Sequence, residues 1–244
     1  MSNGNLSMES TEAPVTFITG GSSGIGAETV RRLLGLGHRV AATGRSAKKL
    51  ASLTEAAAEA GAGDRLLTFE GDAADWGHVS SAVEETVRAF GRLDYAIANA
   101  GYATNGTVET GDPEEWRGMV LTNVLGPALL VRAALPALKA AQGRVVLIGS
   151  VAGFKNTPGN LYSMTKFAVT GLAENVRMLT TEYGVGTTLI APGRVRTPFW
   201  DERADAAGPM ISAEHMVDTL VWAISQPRGV DVNTLVVRPI GQPN

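Results

Sequence analysis

Tyr162 and Lys166 stand four residues apart at the start of a helical pattern, which sets a phenol and an ammonium on one helix face. A phenol with an unperturbed pKa near ~10 is a poor proton donor or acceptor at neutral pH. A neighbouring ammonium favours the phenolate and brings the group towards a useful range for acid–base work. Ser150 follows Gly149 at the end of an apolar run, where a hydroxyl can donate to the carbonyl oxygen of a bound molecule. Asn123 interrupts an otherwise apolar helix, and a buried amide needs partners. It either satisfies an irregularity near Gly126-Pro127 or holds a water between the lysine and solvent.

A second group of residues has the chemistry of an anion cradle. The run Thr19-Gly20-Gly21-Ser22-Ser23-Gly24-Ile25-Gly26 follows the apolar segment Val15-Thr16-Phe17-Ile18 and precedes a proline-free helical pattern. Strand, glycine turn and helix start in that order point backbone N–H groups at a diphosphate. Gly20 suits a tight turn, Gly24 a close backbone approach and Gly26 close helix–strand packing. The spacing is G-x-x-x-G-x-G, not the generic G-x-G-x-x-G dinucleotide fingerprint. About 20 residues further on, an acid would bind a ribose 2′-OH. Here Gly44 and Arg45 stand at that strand end. A carboxylate would repel a 2′-phosphate, whereas a guanidinium holds one by charge-assisted hydrogen bonds, so the residues favour NADP(H) over NAD.

The elements that must position these groups alternate along the chain. Strands are predicted at 15–19, 39–43, 66–70, 95–99, 144–150, 186–191 and 234–238, several nearly continuous in Val, Ile, Leu and Ala. Helices are predicted near 25–36, 47–60, 76–90, 113–140, 162–182 and 213–225. Asp112-Pro113-Glu114-Glu115 reads as a cap, an N1 proline and first-turn acids. The pattern predicts one α/β domain over residues 14–244, a doubly wound seven-stranded parallel sheet with helices on both faces, whose ligands bind at the carboxyl strand ends. Residues 1–13 read as a disordered, acidic N-terminal tail without a secretory pattern.

Composition narrows the partners. The net charge of −3 with no basic block argues against nucleic acid and anionic membranes. With no cysteine, neither a disulfide nor a thiolate nucleophile is available, and His38, His78 and His215 have no metal-ligand spacing, so no metal is expected. The apolar stretch 119–138 is broken by Asn123, Pro127, Arg132 and Pro136, which fits a buried or interface helix better than a membrane span. A soluble, cytoplasmic protein is expected.

Taken together, the residues resemble the short-chain dehydrogenase/reductase family over residues 14 to 242. The matching segments are Thr19 to Gly26, Asp72, Asn99-Ala100-Gly101, Asn123, Ser150, Tyr162-Ser163-Met164-Thr165-Lys166 and Pro192-Gly193-Arg194-Val195-Arg196-Thr197. The resemblance implies that Tyr162 is the general acid/base and that Lys166 lowers its pKa while binding the nicotinamide ribose. It also implies that Ser150 orients a substrate carbonyl and that Asn123 supports a water relay. By the same resemblance Gly20, Ser22, Ser23, Gly24, Ile25 and Gly26 carry the diphosphate, and Asp72 and Ala73 flank the adenine. Asn99, Ala100 and Gly101 then line the cofactor cleft, while Pro192, Gly193, Val195 and Thr197 hold the nicotinamide amide. Two departures stand out: Ala98 replaces a frequent second asparagine, and the loop from Ser150 to Tyr162 is one residue shorter than common. The second departure directs attention to a pocket wall near Phe154 and Asn156.

The stretches 37–50 and 230–239 look like the NADP-dependent branch that includes carbonyl reductases and serine-type 3-hydroxy acid dehydrogenases. The expected activity is reversible reduction of a ketone or aldehyde. The 3-hydroxy acid alternative requires a cation for the substrate carboxylate, with Arg194, Arg196 and Arg203 as candidates. A cofactor-sensing protein without catalysis is the other alternative, although such proteins lose the tyrosine or lysine that this chain keeps. Residues 198–211, with Phe199, Trp200 and Met210, read as a short lid. Met119, Val120, Leu121, Val124, Leu125, Leu129, Leu130, Val131 and Leu135 spread over more than one helix face. That pattern, with the resemblance, implies a homodimer or homotetramer.

Overall fold

The computed structural model describes residues 13–201 and 208–243. The expected tail at 1–13 lies, except for its last residue, outside the described residues, as does the middle of the expected lid. Seven parallel strands form one sheet in the order β3-β2-β1-β4-β5-β6-β7. They are β1 Val15–Ile18, β2 Arg39–Gly44, β3 Leu66–Glu70, β4 Tyr95–Ala98, β5 Arg144–Ile148, β6 Gly186–Pro192 and β7 Thr234–Val237. β1 pairs with β2 on one side and β4 on the other, so the strand order reverses beside the glycine turn and opens a crevice there.

The inner strands β1, β2, β4, β5 and β6 are buried on both faces, and their residues alternate between two apolar layers, while the edge strands β3 and β7 are partly exposed. Phe17, Leu147 and Leu189 enter one layer with Val79, Leu130 and Val169, while their neighbours Ile18, Val146 and Ile190 enter the other with Val30, Leu33 and Leu220. The covering helices are α1 Gly24–Gly35, α2 Ala47–Glu59, α3 Trp76–Phe90, α4 Pro113–Val120, α5 Gly126–Ala141, α6 Leu161–Thr180 and α7 Ala213–Ile224. Asp112 accepts from the Glu114 N–H at 3.0 Å with Pro113 at the first helical position, so α4 starts as its sequence indicates.

The predicted single helix over 113–140 is divided. Five residues, Leu121–Leu125, form a π-helical turn between α4 and α5. Such a turn adds one residue to the helical circuit and rotates the following side chains. The stretch Pro113–Ala141 is long and apolar enough by composition to cross a membrane, yet Met119, Leu130, Val131, Ala134 and Leu138 are buried within the fold.

Candidate active site

The glycine turn has the conformation that its residue types demand. Gly20 has φ +66° and Gly24 φ +53°, in the left-handed region that side chains avoid. A Cβ at Gly26 would lie 2.2 Å from the Gly20 carbonyl oxygen and 2.5 Å from Asn99 Nδ2, so only glycine lets α1 approach the turn this closely. Asn99 Nδ2 donates to the carbonyls of Thr19 and Gly20 at 3.0 and 3.1 Å. Its side chain is therefore a strut between β4 and the turn. Ser23 caps α1 without a side-chain hydrogen bond, so its hydroxyl is not spent on the N–H groups of the first turn.

Gly44 ends β2 with a distinct constraint. A Cβ there would lie 2.5 Å from Ser22 Oγ and 3.0 Å from Ser22 Cβ. The turn and the strand end thus press together, so that any side chain at 44 requires the Ser22 hydroxyl to turn away. Arg45 follows on the cleft wall, with its guanidinium 5.5 Å from the centroid of the Tyr102 ring. Lys49, in the first turn of α2, joins it on that wall. Sequence reasoning missed Lys49, because a lysine one turn into a helix reads as a solvated face.

At the other end of the cleft, Ser150, Tyr162 and Lys166 share one wall region. Asn160 caps α6 by accepting the Ser163 N–H at 2.7 Å. The Ser163 hydroxyl lies 2.6 Å from the Ala152 carbonyl oxygen and 3.0 Å from that of Lys155, tying the preceding loop to the helix. Gly153 permits the same contact, since a Cβ there would lie 2.6 Å from the Lys166 carbonyl oxygen. Ser150 Oγ accepts from the Ala152 N–H at 3.1 Å and keeps its own hydrogen to donate. Lys166 Nζ donates to the Ile148 carbonyl at 2.9 Å and sits 5.7 Å from the centroid of the Tyr162 ring. Burial pulls the Lys166 ammonium down to a pKa of about 8.

Asn123 occupies the π-helical turn and is 1% exposed. Its Nδ2 donates to the Tyr102 carbonyl at 2.8 Å and to Thr165 Oγ1 at 3.0 Å, and its Oδ1 accepts from the Tyr102 N–H at 3.0 Å. Thr165 Oγ1 donates in turn to the Tyr162 carbonyl at 2.7 Å. The amide therefore fastens the strand-end segment at 102 to α6, a positioning task that the sequence did not show.

Most of the remaining expected residues meet on the same cleft of about 810 Å³: Gly20, Ser22, Ser23, Gly24 and Ile25, then Asp72, Ala73, Ala100 and Gly101, then Pro192, Gly193, Val195 and Thr197. Gly26 and Asn123 stand behind its wall. In the expected pocket wall near Phe154 and Asn156, it is their neighbours Lys155 and Thr157 that line the cleft. Phe154 and Asn156 are themselves exposed and outside the lining. Of the candidate carboxylate partners, Arg194 lines the cleft, Arg196 is exposed off it, and Arg203 lies outside the described residues. Phe199 and Trp200 face the cleft, with the Phe199 ring centroid 5.7 Å from that of Tyr162 and 5.1 Å from that of Trp200.

A doubly wound parallel sheet with a glycine turn at its switch point, and a tyrosine–lysine pair across the crevice, defines the dinucleotide-binding class of α/β folds. Comparison with known proteins is more specific. The family model described as short chain dehydrogenase matches residues 14–208, and the chain belongs to that family. An uncharacterized oxidoreductase of Staphylococcus saprophyticus is 31% identical over 231 residues, covering 93% of this chain and 97% of its own. One of Staphylococcus haemolyticus is 33% identical over 229 residues, with the same coverage. Among solved structures, the alcohol dehydrogenase of the archaeon Thermococcus sibiricus complexed with 5-hydroxy-NADP superposes with a TM-score of 0.86 at 25% identity, covering 96% of this chain and 99% of that one. A metagenomic short-chain oxidoreductase in complex with NADP gives 0.81 at 28%, covering 95% and 99%.

Proposed function

We propose that the chain is an NADP(H)-dependent oxidoreductase that reversibly reduces a ketone or aldehyde to an alcohol, with Tyr162 as general acid/base. The observation that carries this reading is a single cleft with Arg45 and Lys49 at one end and Ser150, Tyr162 and Lys166 at the other. The residues present fit a 2′-phosphorylated dinucleotide. Two cations border the end of β2, Gly44 stands where an NAD-type site has its acid, and the glycine-rich turn and α1 N-terminus suit a diphosphate. Two similar structures were solved with NADP or a hydroxylated NADP, which supports the same choice.

When bound, NADPH would supply the hydride. In the direction of reduction, the Ser150 hydroxyl donates to the substrate carbonyl oxygen and holds it beside the phenol. Tyr162 gives its proton to that oxygen as negative charge develops, and the Lys166 ammonium favours the phenolate left behind. One Lys166 hydrogen is taken by the Ile148 carbonyl, leaving two for a ribose or a water. Asn123 keeps the 102 segment and α6 in register, and the resemblance adds a water relay there. Phe199 and Trp200 present an apolar wall that excludes water near the phenol.

Arg194 on the cleft wall keeps a 3-hydroxy acid substrate as the second reading, with its carboxylate paired there. A panel of ketones, aldehydes and 3-oxo acids, followed by NADPH absorbance with NADH in parallel, tests both. Turnover of neutral carbonyls with NADPH preferred is the expected result, and preference for the oxo acids selects the second reading. No turnover despite tight NADPH binding would favour a cofactor-sensing protein. A cytoplasmic homodimer or homotetramer belongs to the same reading.

A further inference from the structure

The backbone that follows β6 is held from two sides. On one side, the Ile211 N–H donates to the Arg194 carbonyl at 3.0 Å, and the Arg196 N–H donates to the Ile211 carbonyl at 2.8 Å. On the other side the sheet runs out: the β6–β7 ladder ends at Pro192 opposite Val237, whose carbonyl accepts from the Gly193 N–H at 2.7 Å. The next donor, the Arg194 N–H, has no strand beside it. Gln242, five residues beyond the end of β7, supplies the acceptor with its side chain, Oε1 lying 2.9 Å from that nitrogen.

This contact requires the chain to double back. Gly241 has φ +88°, which only glycine adopts without strain, and the Gln242 N–H closes the turn on the Pro239 carbonyl at 3.1 Å. Gly193 leaves the space that the tail fills, because a Cβ there would lie 2.4 Å from Gln242 Oε1 and 3.2 Å from Arg238 Cα. Gly241, Gln242 and Pro243 then line the same cleft as Tyr162 and Thr197. The tail is a wall of the site.

We infer that Gln242 is a positioning residue for the nicotinamide half of the cofactor. Its side-chain carbonyl fixes the Arg194 amide and with it the segment from Gly193 to Thr197. The inference rests on the proposed reading that this segment holds the nicotinamide amide. It predicts that loss of Gln242 weakens the grip on the nicotinamide end alone. The adenosine and 2′-phosphate end, at Arg45 and Lys49, is built on other strands.

The test compares NADP⁺ with 2′,5′-ADP, which carries the adenosine and the 2′-phosphate but no nicotinamide. Affinities are measured by calorimetry for the wild type, Gln242→Ala and Gln242→Glu, together with thermal unfolding of each protein. Removing one backbone hydrogen bond should weaken NADP⁺ about five- to tenfold in Gln242→Ala and leave 2′,5′-ADP within about twofold. Gln242→Glu, which still offers an oxygen to the Arg194 N–H, should restore most of the loss. Equal weakening of both ligands, or unchanged NADP⁺ affinity in Gln242→Ala, would overturn the inference while the cofactor reading stands. A wild-type protein that binds 2′,5′-ADP but gains nothing from the nicotinamide half would overturn the reading and the inference together.

Discussion

Gly44 and Arg45 divide one task, the first presenting no carboxylate at the strand end and the second offering a guanidinium at the cleft wall. Arg45→Ala should raise the KM for NADPH about 10- to 150-fold and barely change that for NADH; steady-state kinetics with both cofactors would expose an equal effect on the two and reject the assignment. Tyr162→Phe should abolish turnover with cofactor affinity nearly intact, because only the transferable proton is lost. Residual turnover above a few per cent would displace Tyr162 as the proton donor. Lys166 carries a stability signature besides its chemistry. Its pKa falls from 10.5 to about 8 on burial, which at ~1.36 kcal/mol per pH unit is roughly 3 kcal/mol. Between these two pH values the unfolded chain binds more protons at this residue, so stability gained from its deprotonation rises with pH. The cost is therefore fully present below pH 8 and gone by about 10.5. In urea unfolding, the stability of Lys166→Met relative to wild type should fall by up to roughly 3 kcal/mol across that window, and parallel pH profiles would contradict it. At this scale the sequence was legible wherever a residue type has one physical use. Gly20, Gly24 and Gly26 show their need for positive φ or close approach directly. Lys49 and Gln242 do not, since their use depends on where a neighbouring element or a returning tail leaves them.

The elements were legible to within a residue or two, because every strand is a short apolar run and every helix but one keeps a single period. The exception is the π-helical turn, Leu121–Leu125, whose apolar composition continues the pattern on either side. Hydrophobic periodicity reports which face is covered and is blind to one extra residue per turn. Asn123 sits at that turn with three hydrogen bonds. Asn123→Ala should cost about 1–3 kcal/mol, since it takes the side-chain partner from the part-buried N–H and C=O of Tyr102. Chemical denaturation would register the loss, and a change below ~0.5 kcal/mol would mean that water replaces the amide. The expected lid at 198–211 is described only at its two flanks, where Phe199 and Trp200 face the cleft. Trp200→Ala should raise the KM for bulky carbonyls with little change in melting temperature. A large drop in melting temperature with unchanged kinetics would make the ring a packing residue.

At the scale of the molecule, the π-helical turn before α5 and helix α6 leave apolar groups exposed on the side away from the sheet. Leu121, Leu125, Phe167, Met178 and Leu179 are all exposed by 39–56%. Spread over the turn that holds Asn123 and the helix that holds Tyr162 and Lys166, exposed apolar groups of this kind are what protomers cover in pairs. Light scattering should give two or four times the chain mass of 25.4 kDa, and Phe167→Asp should lower it. A wild-type monomer at micromolar concentration would remove the assembly from the proposal. Sequence periodicity pointed to this surface because it counts apolar faces. It could not divide them between intramolecular and intermolecular partners, which depends on how much of each helix the sheet covers.

The pressure of Gly44 against Ser22 also bears on how such a chain could evolve. An acid at position 44, the change that would convert the site to NAD, must push aside a serine of the phosphate turn. Gly44→Asp should therefore bring a rearrangement of the Ser22 side chain with it, and a smaller residue at 22 would ease the change. The contact couples positions 22 and 44 and so ties the nucleotide preference to the packing of the phosphate turn. A lineage carrying this contact is expected to keep its cofactor while its substrates diversify around the aromatic wall.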